Sequence, residues 1–144
     1  MSFSEKGIII RRTQESDLRG IFLAISEAPE FSQNTLTAEN LADIFSSGNS
    51  LMYSAVRKKH LIGFITGTIK GNKAVIEAAY VKDKFRGLGI GTSLLENFIK
   101  LSKKSGSESF LIAITGKNKK AITFFSSRGF TQTDGIINLE KKDI

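Results

Sequence analysis

The chain has 144 residues, 40% hydrophobic and 24% charged, with no cysteine and a net charge of +7. That length supports one globular core without a disulfide or metal, and the missing cysteine excludes thiolate zinc centres, CxxC redox chemistry and a cysteine nucleophile. The longest apolar runs, such as Ile8 to Ile10 and Phe110 to Ile114, fall far short of the roughly 20 residues of a membrane span, and Met1 to Gly7 lacks the apolar centre of a signal peptide, so the expectation is one cytoplasmic domain, residues 1–144.

In chain order, Ile8, Ile9 and Ile10 before Arg11 and Arg12 suit a first strand. Thr13 or Ser16 offers an N-cap to a helix with Leu18, Ile21, Phe22 and Ile25 at helical spacing, which stops near Pro29. After a loop at Ala28 to Asn34, Thr37 caps a second helix carrying Leu41, Ile44 and Phe45 and ending near Gly48. Leu51 to Val56, His60 to Ile69 and Ala74 to Val81 form a meander with turns at Lys58-Lys59 and Gly71-Asn72. A glycine-bearing loop, Arg86 to Gly91, then runs into an amphipathic helix with Leu94, Leu95, Phe98, Ile99 and Leu101, ending near Ser105-Gly106. Phe110 to Ile114 is a buried strand, and Asn118 to Ser127 a short helix closed by Gly129. Thr131 to Thr133 and Ile136 to Leu139 close the chain about a turn at Asp134-Gly135. This order predicts an α/β (α+β) fold on one mixed sheet. Phe22, Phe45, Phe64, Phe98, Phe110 and Phe124 sit at core periodicities, and His60, the only histidine, reads as exposed.

Charge is unevenly spread. Thr13 to Val56 holds six carboxylates against Arg19, whereas Lys82 to Lys120 holds nine Lys and Arg against three acids. One half suits a cation and the other an anion, although solvated helix faces give the same statistics. The sequence pI near 9.7 also raises nucleic-acid binding, but neither a recognition helix nor a stacking platform accompanies it.

The loop Arg86-Gly87-Leu88-Gly89-Ile90-Gly91 between a strand and a helix offers backbone N–H groups where the helix dipole favours an anion, and phosphate is the natural ligand. It is not a Rossmann G-x-G-x-x-G, which would require glycine at Thr92 or Leu94, nor a Walker loop, since no lysine follows Gly91. Arg86-x-x-Gly89-x-Gly91 resembles the Arg/Gln-x-x-Gly-x-Gly/Ala signature of the GCN5-related N-acetyltransferase (GNAT) family. Ala79-Tyr80-Val81 ahead of it is similar to the family's central strand, and Asn118-x-x-Ala121-Ile122-x-Phe124-Phe125-x-x-x-Gly129-Phe130 to its second cofactor motif.

The resemblance covers essentially the whole chain. It implies a central mixed, mostly antiparallel sheet of about seven strands flanked by about four helices, and acetyl-coenzyme A as cosubstrate without a metal. By resemblance, backbone amides of Arg86, Gly87, Leu88, Gly89, Ile90, Gly91 and Thr92 hold the pyrophosphate. Ala79, Tyr80 and Val81 pair with pantetheine, the N–H near Val81 polarises the thioester carbonyl, and Asn118, Phe124 and Phe125 complete the cofactor side. Lysines at 117 to 120 are candidates for the 3′-phosphate or for plain helix surface.

Without cysteine, direct transfer from acetyl-coenzyme A to a primary amine of a small molecule or a protein is the expected route. Glu77, the only acid in its strand, is the candidate general base, as in polyamine-acetylating branches of the family; the alternative is a strand-edge carboxylate bonded to a lysine. Period-2 alternation places Glu77 on the face of Val75 and Ala79 and turns Tyr80 to the other. Phe125 stands where many members carry the tyrosine that protonates the coenzyme A thiolate, leaving Tyr80, Tyr53 or water for that step. Turned away from Glu77, Tyr80 reads as a core aromatic before it reads as a proton donor. Glu27, Glu30 and Phe31, with Gln33, are candidates for seating a cationic amine in the loop after the first helix. A noncatalytic acyl-coenzyme A-binding or sensing module remains the alternative, and a homodimer through the C-terminal strands stays open.

Overall fold

Three strands in unbroken succession form the centre of the sheet, because each is joined to the next by only two residues. Ser50–Arg57 (β2), His60–Lys70 (β3) and Lys73–Val81 (β4) pair antiparallel, turning at Lys58-Lys59 and at Gly71-Asn72. Lys58 and Lys59 both have positive φ, 51° and 67°, the backbone that fits a two-residue hairpin to the strand twist. Ile8–Arg12 (β1) adds to β2, and Ser109–Ala113 (β5) runs parallel to β4. Asn138–Lys142 (β7) lies between β5 and Thr131–Thr133 (β6), so among the described residues the sheet has seven strands in the order β1-β2-β3-β4-β5-β7-β6. The helices are Leu18–Glu27 (α1), Leu41–Ser46 (α2), Ile90–Lys104 (α3) and Lys119–Ser126 (α4). This computed structural model describes residues 2–27, 39–113, 119–133 and 138–142. Among them, no helix is long and apolar enough to cross a membrane.

The mixed, mostly antiparallel sheet thus matches expectation, and its two faces bury separate cores. On one face Ile65, Ile76, Leu94, Leu95 and Phe98 pack beneath α3; on the other Ile21, Ile25, Leu41, Phe64 and Ala78 pack beneath α1 and α2. Each fully buried side chain of this size contributes about 2 kcal/mol by leaving water. Asp17, only 7% exposed, ties the start of α1 to β1 by accepting a two-pronged bond from Arg11 at 2.5 and 3.0 Å and the Gln14 N–H at 2.8 Å. One expected core residue is corrected: Phe22 is 45% exposed. Ile21, Ala24 and Ile25 occupy the sheet-facing stripe of α1, and the next position along, a turn of about 100° away, points outward.

α3 lies close to the sheet because β3 has a glycine beneath it. A Cβ on Gly67 would stand 2.4 Å from Phe98 Cζ and 2.6 Å from the Val75 carbonyl oxygen. The ring of Phe98 therefore fills the space a side chain would have taken.

Opposite Gly67, β4 departs from regular pairing. Gly67 pairs with Ile76 but Thr66 pairs with Ala78, which makes Glu77 the extra residue of a β-bulge. Before it, Ala74 and Ile76 face α3; after it, Ala79 and Val81 do so, while Ala78 and Tyr80 face α1 and α2. The alternation expected from the sequence is corrected accordingly. Glu77 keeps the side of Val75, whose cross-strand partner Thr68 bonds to it. Ala79 lies on the opposite face, and Tyr80 shares the face of Glu77 rather than opposing it.

Candidate active site

The β4–β5 register runs from Lys73↔Ser109 to Ile76↔Ile112, and β4 continues beyond it to Val81. Over this last stretch no described residue of β5 pairs with it, and a cavity of about 490 Å³ opens along this gap in the pairing. Its walls come from both faces of the sheet: Phe64 and Tyr80 from the α1–α2 face, Ala79 and Val81 from the α3 face. A molecule approaching from either side therefore meets the other at the end of β4.

The far wall is the entrance to α3. A 3₁₀ turn at Asp83–Phe85 leads into Arg86, whose Nε donates to the Val81 carbonyl at 2.8 Å and whose guanidinium pairs with Asp83. The Arg86 side chain thereby fastens the loop to the strand that precedes it. Gly87 and Gly89 have φ of +81° and +86°, left-handed conformations that cost an L side chain about 1 kcal/mol or more. Gly89 is the N-cap of α3 and its carbonyl accepts the first helical bond, from Ser93 at 3.0 Å. The first-turn N–H groups of Ile90, Gly91 and Thr92 have no intrahelical acceptor by geometry, and they point out of the helix toward an anion. Gly91 admits close packing of α4: a Cβ there would lie 3.3 Å from Phe124 Cε1.

Arg128, which the sequence reading did not single out, completes this wall. Its Nε and Nη2 donate to Thr92 Oγ1 at 3.2 and 2.6 Å, its Nη1 donates to the Phe124 carbonyl at 2.9 Å, and its guanidinium lies 3.7 Å from the Phe124 ring centroid. The bond to its own helix's carbonyl and the ring contact are each favourable. The same guanidinium stands at the positive end of α3, where an anion would meet both charges. Two positive poles facing one cavity fit a pyrophosphate. The only trace in the sequence is a cation four residues after Phe124, just before the glycine that ends α4.

The remaining candidates divide clearly. Ala79, Tyr80, Val81, Arg86, Gly87, Gly89, Ile90, Gly91, Thr92, Phe124 and Phe125 all border the cavity, as does Lys120. Leu88 is 39% exposed and is not part of its wall. Phe125 is 3% exposed and packs edge-on to Phe124 and Phe130, ring centroids 5.1 and 5.2 Å away. Its neighbours are aromatic, and it brings no proton donor to the cavity. Tyr80 does carry a phenol there, its ring 6.0 Å from that of Phe64. Tyr53 packs on the α3 face under Arg12 and away from the cavity wall.

Glu77 is 6% exposed and stands three residues before Tyr80 on the same strand, outside the cavity wall. Its Oε1 accepts the Thr68 hydroxyl at 2.6 Å, so its recorded partner is a threonine and not a lysine. Glu27 ends α1, exposed, on the sheet face that Glu77 shares. Glu30, Phe31 and Gln33 of the amine-seating loop, and Lys117 and Asn118 of the second motif, lie outside the described residues. Among the described residues, no three acids or histidines are grouped to hold a metal.

A family model described as the acetyltransferase (GNAT) family matches residues 18–130, from the start of α1 to the residue before β6. The chain belongs to the GNAT acetyltransferase family. As a GNAT protein it is an acetyl-coenzyme A-dependent acyltransferase, and the wall formed by the glycine loop, the α3 N-terminus and Arg128 suits that cosubstrate. The mouse thialysine N-epsilon-acetyltransferase is similar at 28% identity, with 88% of this chain and 87% of that protein aligned. Among solved structures, the fold is similar to the PaiA N-acetyltransferase of Thermoplasma acidophilum in complex with coenzyme A, with a TM-score of 0.78, 24% identity and 99% of both chains covered. Ard1 of Thermoplasma volcanium superposes with a TM-score of 0.80 at 20% identity, over 96% of this chain and 99% of that one.

Proposed function

We propose that this GNAT protein transfers the acetyl group from acetyl-coenzyme A directly to a primary amine of a small molecule, with Glu77 as general base. The observation that carries the reading is the gap at the end of β4. Its walls come from both faces of the sheet, so acetyl-coenzyme A enters from the α3–α4 side and the amine from the α1–α2 side. Glu77 lies on the amine's side, and about two residues of strand, roughly 7 Å, separate it from Ala79. The name of the mouse relative supports a small molecule bearing a terminal amine, of the thialysine kind, over a protein N-terminus.

In this arrangement the N-terminus of α3 and Arg128 hold the pyrophosphate, and the end of β4 lines the thioester. The backbone N–H at Val81 is the donor toward the thioester oxygen, on which negative charge grows during attack. Glu77 takes a proton from the ammonium, leaving a neutral nucleophile. The departing thiolate receives its proton from Tyr80 or from water, since Phe125 offers none, and the second proton, shed by the attacking nitrogen as the amide forms, restores that donor.

Thiol release from acetyl-coenzyme A over a panel of thialysine, lysine, spermidine, an aminoglycoside and a peptide with a free N-terminus tests this directly. Release with the small aliphatic amines is the expected result; release with the peptide alone overturns the small-molecule assignment. Phe125 favours a second reading, a noncatalytic acyl-coenzyme A-binding module, and calorimetric binding of acetyl-coenzyme A without release on any amine would select it. Arg128→Met keeps the packing on Phe124 and removes the charge. We expect it to weaken acetyl-coenzyme A about ten-fold by calorimetry, in the range of a charge-assisted hydrogen bond, and unchanged affinity would remove Arg128 from the binding site.

A further inference from the structure

Two threonines lie two residues apart on the face of β3 that meets α1 and α2, and they are in opposite circumstances. Thr68 Oγ1 donates to Glu77 Oε1 at 2.6 Å. Thr66 Oγ1 is fully buried and has no hydrogen-bond partner among the described residues. The bulge creates the difference. Thr66 pairs with Ala78 and Thr68 with Val75, and the extra residue between those two, Glu77, reaches the threonine nearer the hairpin. A carboxylate this buried, 6% exposed, has few other ways of being held.

We propose that Thr68 is a positioning residue for the acetyl transfer. It fixes the Glu77 carboxylate through Oε1 and leaves Oε2, which carries no hydrogen bond among the described residues, to face the incoming amine. The inference rests on the reading of Glu77 as general base. A carboxylate tethered through one oxygen keeps the other in a fixed direction, and misplacement of a base by about 1 Å can cost on the order of 100-fold in rate. Thr68 itself is not part of the cavity wall.

The test compares Thr68→Val, Thr68→Ser, Thr66→Val and Glu77→Gln with the wild type, using the panel amine that releases thiol fastest. Thr68→Val keeps the shape and removes the donor, and kcat falls about ten-fold or more while KM for acetyl-coenzyme A stays the same. Thr68→Ser restores most of that kcat. Thr66→Val, the same change on the same face, leaves kcat unchanged and melts at the wild-type temperature or above, since it removes an unpartnered buried hydroxyl. If Thr68→Val does not fold, Thr68→Ala takes its place in the comparison.

Wild-type kcat in Thr68→Val, together with loss of turnover in Glu77→Gln, overturns the role of Thr68 alone. An equal fall in Thr66→Val, or no recovery in Thr68→Ser, overturns it as well, because the effect is then one of packing. Full turnover in Glu77→Gln overturns the base, and the positioning role falls with it. No turnover by the wild type on any amine overturns the acetyl-transfer reading itself.

Discussion

Glu77→Gln lowers kcat for amine acetylation by roughly 10²–10⁴-fold, the usual contribution of a general base, while acetyl-coenzyme A still binds and the protein melts near the wild-type temperature. The substitution preserves the shape of the side chain and the oxygen that accepts the Thr68 hydroxyl. What it removes is the ability to take a proton. Steady-state thiol release and calorimetry on the same preparations separate the two properties. A variant with more than a tenth of wild-type kcat would show that the amine loses its proton elsewhere. Tyr80→Phe, measured beside it, decides between the phenol and water as the source of the thiolate's proton: a ten-fold fall in kcat assigns Tyr80, and no change assigns water. Either effect should be smaller than that at Glu77, because a thiolate leaves without much assistance whereas an ammonium cannot attack at all.

Gly67→Ala destabilises the protein by about 3 kcal/mol, which corresponds to a fall of roughly 10 °C in melting temperature for a domain of this size. The added methyl has nowhere to go. On one side it meets the Phe98 ring and on the other the backbone carbonyl of Val75, both well inside contact distance. A flexible side chain alone could swing away, but the carbonyl belongs to the neighbouring strand and the ring is fully buried. The strain is relieved only by lifting α3, whose first turn borders the cavity. We therefore expect acetyl-coenzyme A to bind more weakly as well, with a smaller thermal shift on addition than in the wild type. A melting temperature within 2 °C of wild type would show that α3 can lift from β3 at little cost.

The parts of this protein that could be read from its sequence are those where the backbone dictates the residue. Gly87 and Gly89 adopt positive φ, so glycine there announces a turn into a helix, and the loop at the start of α3 follows from that. The meander was legible for a similar reason, because two-residue turns fix strand pairing. The bulge at Glu77 was not. Lys73 to Val81 alternates as a regular strand would, and nothing local marks the residue at which pairing slips; the slip arises across the sheet, at a glycine covered by Phe98. Glu77 stood out by its type alone, while the faces of Ala79 and Tyr80 were misassigned by strict alternation. Arg128 escaped notice because its partners, Thr92 and the end of α3, are 36 positions away. Phe22 was placed inside by spacing alone, and one step around the helix sufficed to turn it out.

The extra residue in β4 sets the phase of everything that follows it. Upstream, even-numbered positions belong to the core beneath α3; downstream, the odd-numbered ones do. One strand can therefore anchor α3 at its start and, at its end, present the Tyr80 ring to the α1–α2 side and Ala79 and Val81 to the α3 side. Removal of Glu77 would leave those faces unchanged, since Ile76 and Ala78 already stand opposite the consecutive residues Gly67 and Thr66. What would go is the carboxylate and the bend, so β4 carries its acid at the one point where its length has slack.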